Sequence, residues 1–339
     1  MNIKGFGQGP RWTAARQRLA KLRIGGVALG VLVLAVLLVG WYWSREPDIF
    51  WVEWEQEGQP AVAGFATTNT LIRVARTLLE KPGGYLTNDV MPPGLLLDNI
   101  PNWEFGVLVQ VRDLARVLRN DFSRSQTQST EDGDLAQAEP NFNYDNNHWI
   151  LPASESKYRE AIGQLESYQE RLPGDARPRA NFYARADNLR DWLAIVEKRL
   201  GSLSQRLSAS VGQVRVNADL GGESAAEASR PRAERIDVKT PWLELDDVFY
   251  EARGTAWALL HFLRAVEYDF RHVLDDKNAT VSLRQIIREL EASLAPMGSP
   301  IVLNGGGFGF FANHSLVMAS YLSRAHQATS NLRELLAGG

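Results

Sequence analysis

The sequence predicts an all-α protein: a single N-terminal transmembrane helix followed by an extracytoplasmic helical bundle with two long heptad-patterned helices. Three observations carry this. Residues 24–43 form an uncharged apolar run, the chain beyond it repeats apolar residues at helical spacing, and no strand pair with hairpin turn chemistry stands out. The chain has 339 residues, 45% apolar and 23% charged, enough to bury a substantial core.

Charge is placed unevenly. Lys4, Arg11, Arg16, Arg18, Lys21 and Arg23 give residues 1–23 six cations and no acid. The rest of the chain carries 31 Lys and Arg against 40 Asp and Glu. Residues 24–43 read IGGVALGVLVLAVLLVGWYW. As a helix rising about 1.5 Å per residue they span about 30 Å, the hydrocarbon thickness of a bilayer. Trp41, Tyr42 and Trp43 close the run with rings suited to the membrane interface. The cations predict a cytoplasmic tail at 1–23 and an extracytoplasmic domain at 44–339. A cleaved signal peptide fits less well: its apolar region is about 7–15 residues and ends in small residues, not aromatics. Gly26 and Gly30 stand in GxxxG spacing, which permits helix pairing and hence a homo-oligomer.

Helical periodicity continues through the domain. Short helices are expected at Thr68–Leu79, Trp103–Phe122, Ser154–Leu172, Thr280–Leu294 and Ser315–Leu336, several of them stopped by Pro or Gly. Phe182, Ala186, Leu189, Leu193, Val196, Leu200, Leu203 and Leu207 alternate spacings of four and three, and Val214 rejoins the stripe later. A second stripe runs Leu245, Phe249, Ala252, Ala256, Leu259, Leu263, Val266, Phe270 and Val273. Two such seams are expected to pack against each other with coiled-coil-like geometry. FWVEW, at Phe50–Trp54, alternates briefly and fits either a short strand or juxtamembrane helix. Polar segments near 123–153 and 219–240 are expected to be flexible, the latter joining the two long helices, and 295–313 reads as a Gly-rich loop.

Composition excludes several functions. With no cysteine there is no disulfide scaffold, Cys-ligated metal, iron–sulfur cluster or thiol nucleophile. A net charge of −3 argues against nucleic-acid binding. No cofactor motif stands out, and with 23 residues ahead of the apolar run a transducing receptor is not expected.

The blocks TLIRVARTLLEKPGGYLTNDVMPPG, PNWEFGVLVQVRDL, FYARADNLRDWLAIVEKRLGSLSQRLSASVG, KTPWLELDDVFYEARG and NGGGFGFFANHSLVMASYLSRA together resemble one bacterial family of unknown function. The resemblance covers nearly everything after the apolar run. It implies one coherent domain, a bacterial inner membrane crossed once and a periplasmic body. It implies no activity, cofactor or catalytic residue.

Each fragment of chemistry has a plainer explanation. Ser154-Glu-Ser-Lys157 matches the S-x-x-K of penicillin-binding proteins, but the companion motifs are missing and an N-cap Ser accounts for it. Asp269 and His272, beside Glu267, lack the Glu-x-x-His pairs of a di-iron bundle. Glu244, Asp246, Asp247 and Glu251 resemble paired catalytic carboxylates, yet acids at a helix start are favoured by its dipole. The loop Asn304–Phe311 lacks the Lys of a phosphate cradle. Its Phe308, Phe310 and Phe311 are expected to fold the loop onto the bundle or the membrane surface, and are the candidate contacts for lipid or a partner. NFNYDNNHW at 141–149 mixes rings and amides as glycan sites do, but also reads as a polar loop. The features favour a membrane-anchored envelope scaffold or interaction protein with no catalytic or metal residues. The alternative is an enzyme or binding protein acting on peptidoglycan, glycan or lipid.

Overall fold

A computed structural model describes residues 10–53, 62–125, 129–174, 179–216, 235–299, 301–306 and 310–338. Helix α1 runs Pro10–Trp43, so its backbone helix begins well before the apolar span. Residues 21–43 are long and apolar enough to cross a membrane, with a mean hydropathy of 2.6; their most apolar stretch is unburied, while Gly40 and Trp43 near the end meet the body. Gly25, Gly26 and Gly30 face open space.

The body is a helical bundle. In chain order come α2 (Phe65–Glu80), α3 (Asn99–Val117), α4 (Gly133–Phe142), α5 (Ser154–Glu170), α6 (Ala186–Ser208), α7 (Leu245–Asp269), α8 (Arg271–Asp276), α9 (Thr280–Ser293) and α10 (His314–Ala337). The five short helices expected from the sequence all form. Helix α3 ends in a single π-type turn at Leu118–Phe122.

Four details differ from expectation. The segment near 123–153 contains α4, which Asp132 opens by accepting from the Asp134 and Leu135 amides. The Leu189–Leu207 seam ends with α6, and Val214 lies in a strand, because Gly212 at φ 84° breaks the helix. That strand, β1 (Gln213–Val216), pairs antiparallel with β2 (Arg235–Val238), which falls in the segment near 219–240 expected to be flexible; residues 217–234 lie outside the described residues. Residues 50–53 form neither strand nor helix but an extended strap, and Trp54 lies outside the described residues.

The fourth difference concerns packing. The two heptad seams do not chiefly meet each other. Helix α6 lies mainly against α10, and α7 mainly against α3. Backbone proximity decides this. A Cβ on Gly106 of α3 would collide with the Glu251 carbonyl of α7, and one on Gly254 would collide with the Trp103 carbonyl. Only glycines let these two helices approach so closely. In addition, α7 is buried around its whole circumference: Arg253, Trp257, Leu260, His261 and Phe262 lie off the seam and are buried. A helix enclosed on all sides is the bundle's axis rather than half of a two-stranded coil.

Helix directions follow from the contacts. Asn102 donates to Asp247 near the start of α3 and α7, and Phe122 meets Phe270 near their ends, so the two run parallel. Arg206 pairs with Glu251 and Arg199 with Asp113, so α6 runs the other way. Ser204 donates to the Ala319 carbonyl, which returns α10 antiparallel to α6. Tyr85 packs edge-on against Tyr158, placing the end of α2 beside the start of α5. One end of the bundle therefore collects the starts of α3, α5, α7 and α10 and the ends of α2, α6 and α9.

Candidate functional site at the anchor end of the bundle

Helix α1 meets the body at this same end. Gly40 is buried against Pro93 and Leu97, and the Trp43 ring lies where a Cβ on Gly83 would stand. Gly83 has φ 87°, so glycine suits this turn twice over. The chain then runs as a strap along α7. Glu46 takes Arg253, the Asp48 carbonyl accepts from Trp257 Nε1, Phe50 stacks on His261, and Val52 packs with Ala66 and Ala265. Two strap residues match four residues of α7 at each step. Extended backbone advances about 6.6 Å per two residues and a helix about 6 Å per four, so the registers stay together.

Arg253 is the neck's central charge. Its guanidinium donates to Glu46 at 2.7, 2.8 and 3.0 Å and reaches the carbonyls of Ser293, Leu294 and Ala295, the end of α9. Carbonyls at a helix C-terminus carry partial negative charge and suit a cation. His261 is fully buried; Nδ1 donates to the Trp257 carbonyl at 2.7 Å, and Nε2 accepts from the Phe50 amide at 3.1 Å. The Phe50 contact needs the neutral ring, because a protonated Nε2 cannot accept. Burial, with Arg264 and Arg73 nearby, holds its pKa down at about 4.

The loop after α2 is clamped from below. Lys81 and Glu104 form an ion pair at 2.6 Å with both side chains fully buried. Glu104 also accepts from the Leu86 and Thr87 amides and the Thr87 hydroxyl. A buried charge pair persists when its remaining valences are met, as here. Ser154 does the same for residues 145–148: Oγ donates to the Asp145 carbonyl at 2.6 Å and accepts from the His148 amide.

The sequence-derived site residues fall as follows. Trp41 and Tyr42 are exposed, with the Arg45 guanidinium 4.2 Å from the Trp41 ring centroid. Trp43 is partly buried against the body. Phe310 and Phe311 are exposed on the loop before α10, tied at its base by an Asn304–Asn313 bridge; Phe308 lies outside the described residues. Ser154 does not cap α5; Ala153 holds that position and Lys157 pairs with Glu160, so no Ser–Lys dyad forms. Asp269 accepts from the Gly64 and Thr67 amides and the Thr67 hydroxyl, capping α2 from across the bundle, while His272 is exposed. Asp247 accepts from Asn102, and burial followed by Asp246, Asp98 and Glu244 raises its pKa. Glu251 is taken by Arg206. The structure brings together none of these as a reacting set. Sequence reading missed Arg253, His261, Lys81 and Glu104. A cation and a histidine inside an otherwise apolar helical stretch were the available signal for the first two.

Several clefts mark the surface of the body, among them one of about 460 Å³ beside the strap, lined by Pro47, Glu53, Arg73 and Arg76. Another of about 560 Å³, at the far end, is lined by Glu131, Asp132, Asp134, Arg171, Arg179 and Asn181; Arg171 pairs with Asp132 and Asp134. A smaller one of about 230 Å³ near the anchor end is bordered by Phe249, Met297, His314 and Tyr321. Among the described residues, no three His, Asp or Glu side chains gather as a metal site.

The long collinear blocks and this continuous core are what a single family domain would show. A family model matches residues 15–339, that of DUF2333, described as uncharacterized protein conserved in bacteria. The chain belongs to this family. The match begins ahead of the apolar span and takes in the whole body, so α1 and the bundle are parts of one DUF2333 unit. No curated protein and no solved structure matches the chain.

Proposed function

We propose that this DUF2333 protein is a membrane-anchored scaffold of the bacterial envelope, holding a partner at a set distance from the inner membrane. In this reading α1 spans the bilayer with its basic end in the cytoplasm, and the bundle stands in the periplasm. The observation that supports it is the neck. A scaffold needs the body held at one height and angle. Here the strap is fastened to the central helix at Glu46, Asp48, Phe50 and Val52 in succession.

The test is to loosen the neck without touching the body. A flexible Gly/Ser segment inserted between Ser44 and Arg45, combined with Trp43→Ala, uncouples α1 from the strap while residues 46–52 stay in place. The scaffold reading expects this variant to accumulate as a folded body, somewhat less stable for the lost Trp43 packing, but to fail complementation of a deletion phenotype. Full complementation overturns it. The second reading, binding or chemistry on a glycan or peptide, draws on the 560 Å³ cleft, whose size suits a ligand. It expects loss of function from Arg179→Ala at normal abundance.

A further inference from the structure

We infer that the end of the bundle from which α1 departs is a bilayer-docking face, so that the body rests on the membrane its anchor spans. This rests on the reading that α1 spans a membrane.

The observation is where the exposed apolar side chains lie. Among the described residues of the body, only four strongly exposed large apolar side chains, Ile49, Trp51, Val281 and Leu335, lie away from this end. All the others sit on the loops or helix termini gathered there. The loop after α2 presents Leu95 and Leu96, exposed to 61% and 67%. The loop before α5 presents Trp149, Ile150 and Leu151. The turn before α7 presents Trp242 and Leu243, each 79% exposed. The loop before α10 presents Phe310 and Phe311. Four segments far apart in sequence thus bring apolar tips to one end, and that end is where the long apolar helix leaves.

Three of these loops are tied at their bases: Glu104 accepts from the Leu86 amide at the start of the first, Ser154 donates to the Asp145 carbonyl in the second, and Asn304 bridges Asn313 in the fourth. Apolar groups turned toward water together at one end mark a contact surface, and tryptophans are the rings that settle at headgroup level. The occupant is the interfacial layer of the bilayer, because the surface is continuous with the anchor: Gly40 of α1 touches Pro93 and Leu97, which flank Leu95 and Leu96. Asp89, Asp98, Asp145, Glu244 and Asp246 belong to the same loops and turns, against the exposed cations Arg45 and Lys239. Docking is therefore driven by apolar insertion, without net attraction to anionic headgroups.

The cysteine-free chain allows a direct test. Nitroxide labels are placed one at a time, as Leu95→Cys, Leu243→Cys and Phe310→Cys, in the full chain in phosphatidylcholine nanodiscs. Val281→Cys reports the far end and Val33→Cys the anchor. Collision with oxygen, which concentrates in lipid, is compared with collision with a water-soluble nickel chelate. The three tip labels are expected to favour oxygen, as Val33→Cys does, and Val281→Cys to favour nickel, with no change on adding anionic lipid. Tip labels that favour nickel while Val33→Cys favours oxygen overturn the docking face and leave the anchor intact. Labels shielded from both reagents show a protein-covered surface, such as a second copy, and also overturn it. A Val33→Cys label in water removes the spanning reading, and the docking face with it.

Discussion

Arg253 grips Glu46 through three hydrogen bonds of 2.7, 2.8 and 3.0 Å, joining residues 207 positions apart at the point where the chain passes from α1 into the body. The guanidinium is nearly buried and the carboxylate mostly so. Removing one partner of such a pair leaves the other charge without compensation. Glu46→Ala is expected to destabilise the folded chain by about 3 kcal/mol, the lower end for a buried pair, since Glu46 keeps some solvent. Denaturant midpoints in detergent would show it, and an unchanged midpoint would mean the neck is dispensable for folding.

The glycines at the α3–α7 crossing make a sign test. Alanine ordinarily favours a helix over glycine by about 1 kcal/mol. At Gly106 and Gly254 the added methyl meets backbone, which cannot rotate away. Gly106→Ala and Gly254→Ala should each cost about 1–3 kcal/mol or more through overpacking. Gly163 of α5 has open space where its Cβ would stand, so Gly163→Ala should stabilise. Thermal melts of the three variants check the signs, and a stabilised Gly254→Ala would contradict the close crossing.

Leu200 is fully buried at the α6–α10 interface. Leu200→Ala should cost about 2–5 kcal/mol from lost transfer energy and the cavity left behind. Leu200→Asp should prevent the folded body from accumulating. A soluble, parent-like melt for Leu200→Asp would place the seam on the surface.

Acid should loosen the strap through His261. Its pKa in the folded chain is about 4 against an ordinary 6.5. Between those values the unfolded chain binds a proton that the native chain refuses, so this stability is complete above about 6.5 and declines as pH falls toward about 4. At 1.36 kcal/mol per pH unit the loss approaches about 3 kcal/mol. His261→Gln removes this contribution and leaves the buried carboxylates as they were. The parent should therefore lose more stability than His261→Gln between about pH 7 and about pH 4.5. Equal losses would show that His261 titrates normally.

Orientation is testable in cells. Alkaline phosphatase is active only outside the cytoplasm, so a fusion after Gly339 is expected to be active. Moving the six tail cations to just after Trp43 should weaken or invert this, since basic residues stay on the cytoplasmic side. An inactive parent fusion at normal expression would reverse the topology.

The helices of the body were legible in the sequence because helical burial repeats locally. Leu283, Ile286, Ile287 and Leu290 mark α9 without knowledge of what covers them, and all four are buried. Phe310 and Phe311 were legible as apolar residues on a loop, but their exposure was not: packing onto the bundle was the expectation, and both stand exposed. Helix α4 was not legible, since ten polar-rich residues with an internal proline carry little periodicity.

Partner choice lay beyond the pattern. A heptad stripe says that a face is covered but not by which helix, so the seams of α6 and α7 looked like mates. The Gly106–Gly254 crossing sent α7 to α3 instead, through a backbone approach visible only when both helices are placed. The same holds for the anchor end. By itself the sequence determined an apolar helix with aromatic rings at its exit, because that signal is contiguous. Only the tertiary structure decided that Glu46 meets Arg253, that Phe50 meets His261, and that Leu95, Leu151, Leu243 and Phe310 share one end of the bundle. Those relationships depend on helix direction, which sets where each loop emerges and is carried by long-range contacts rather than by local spacing.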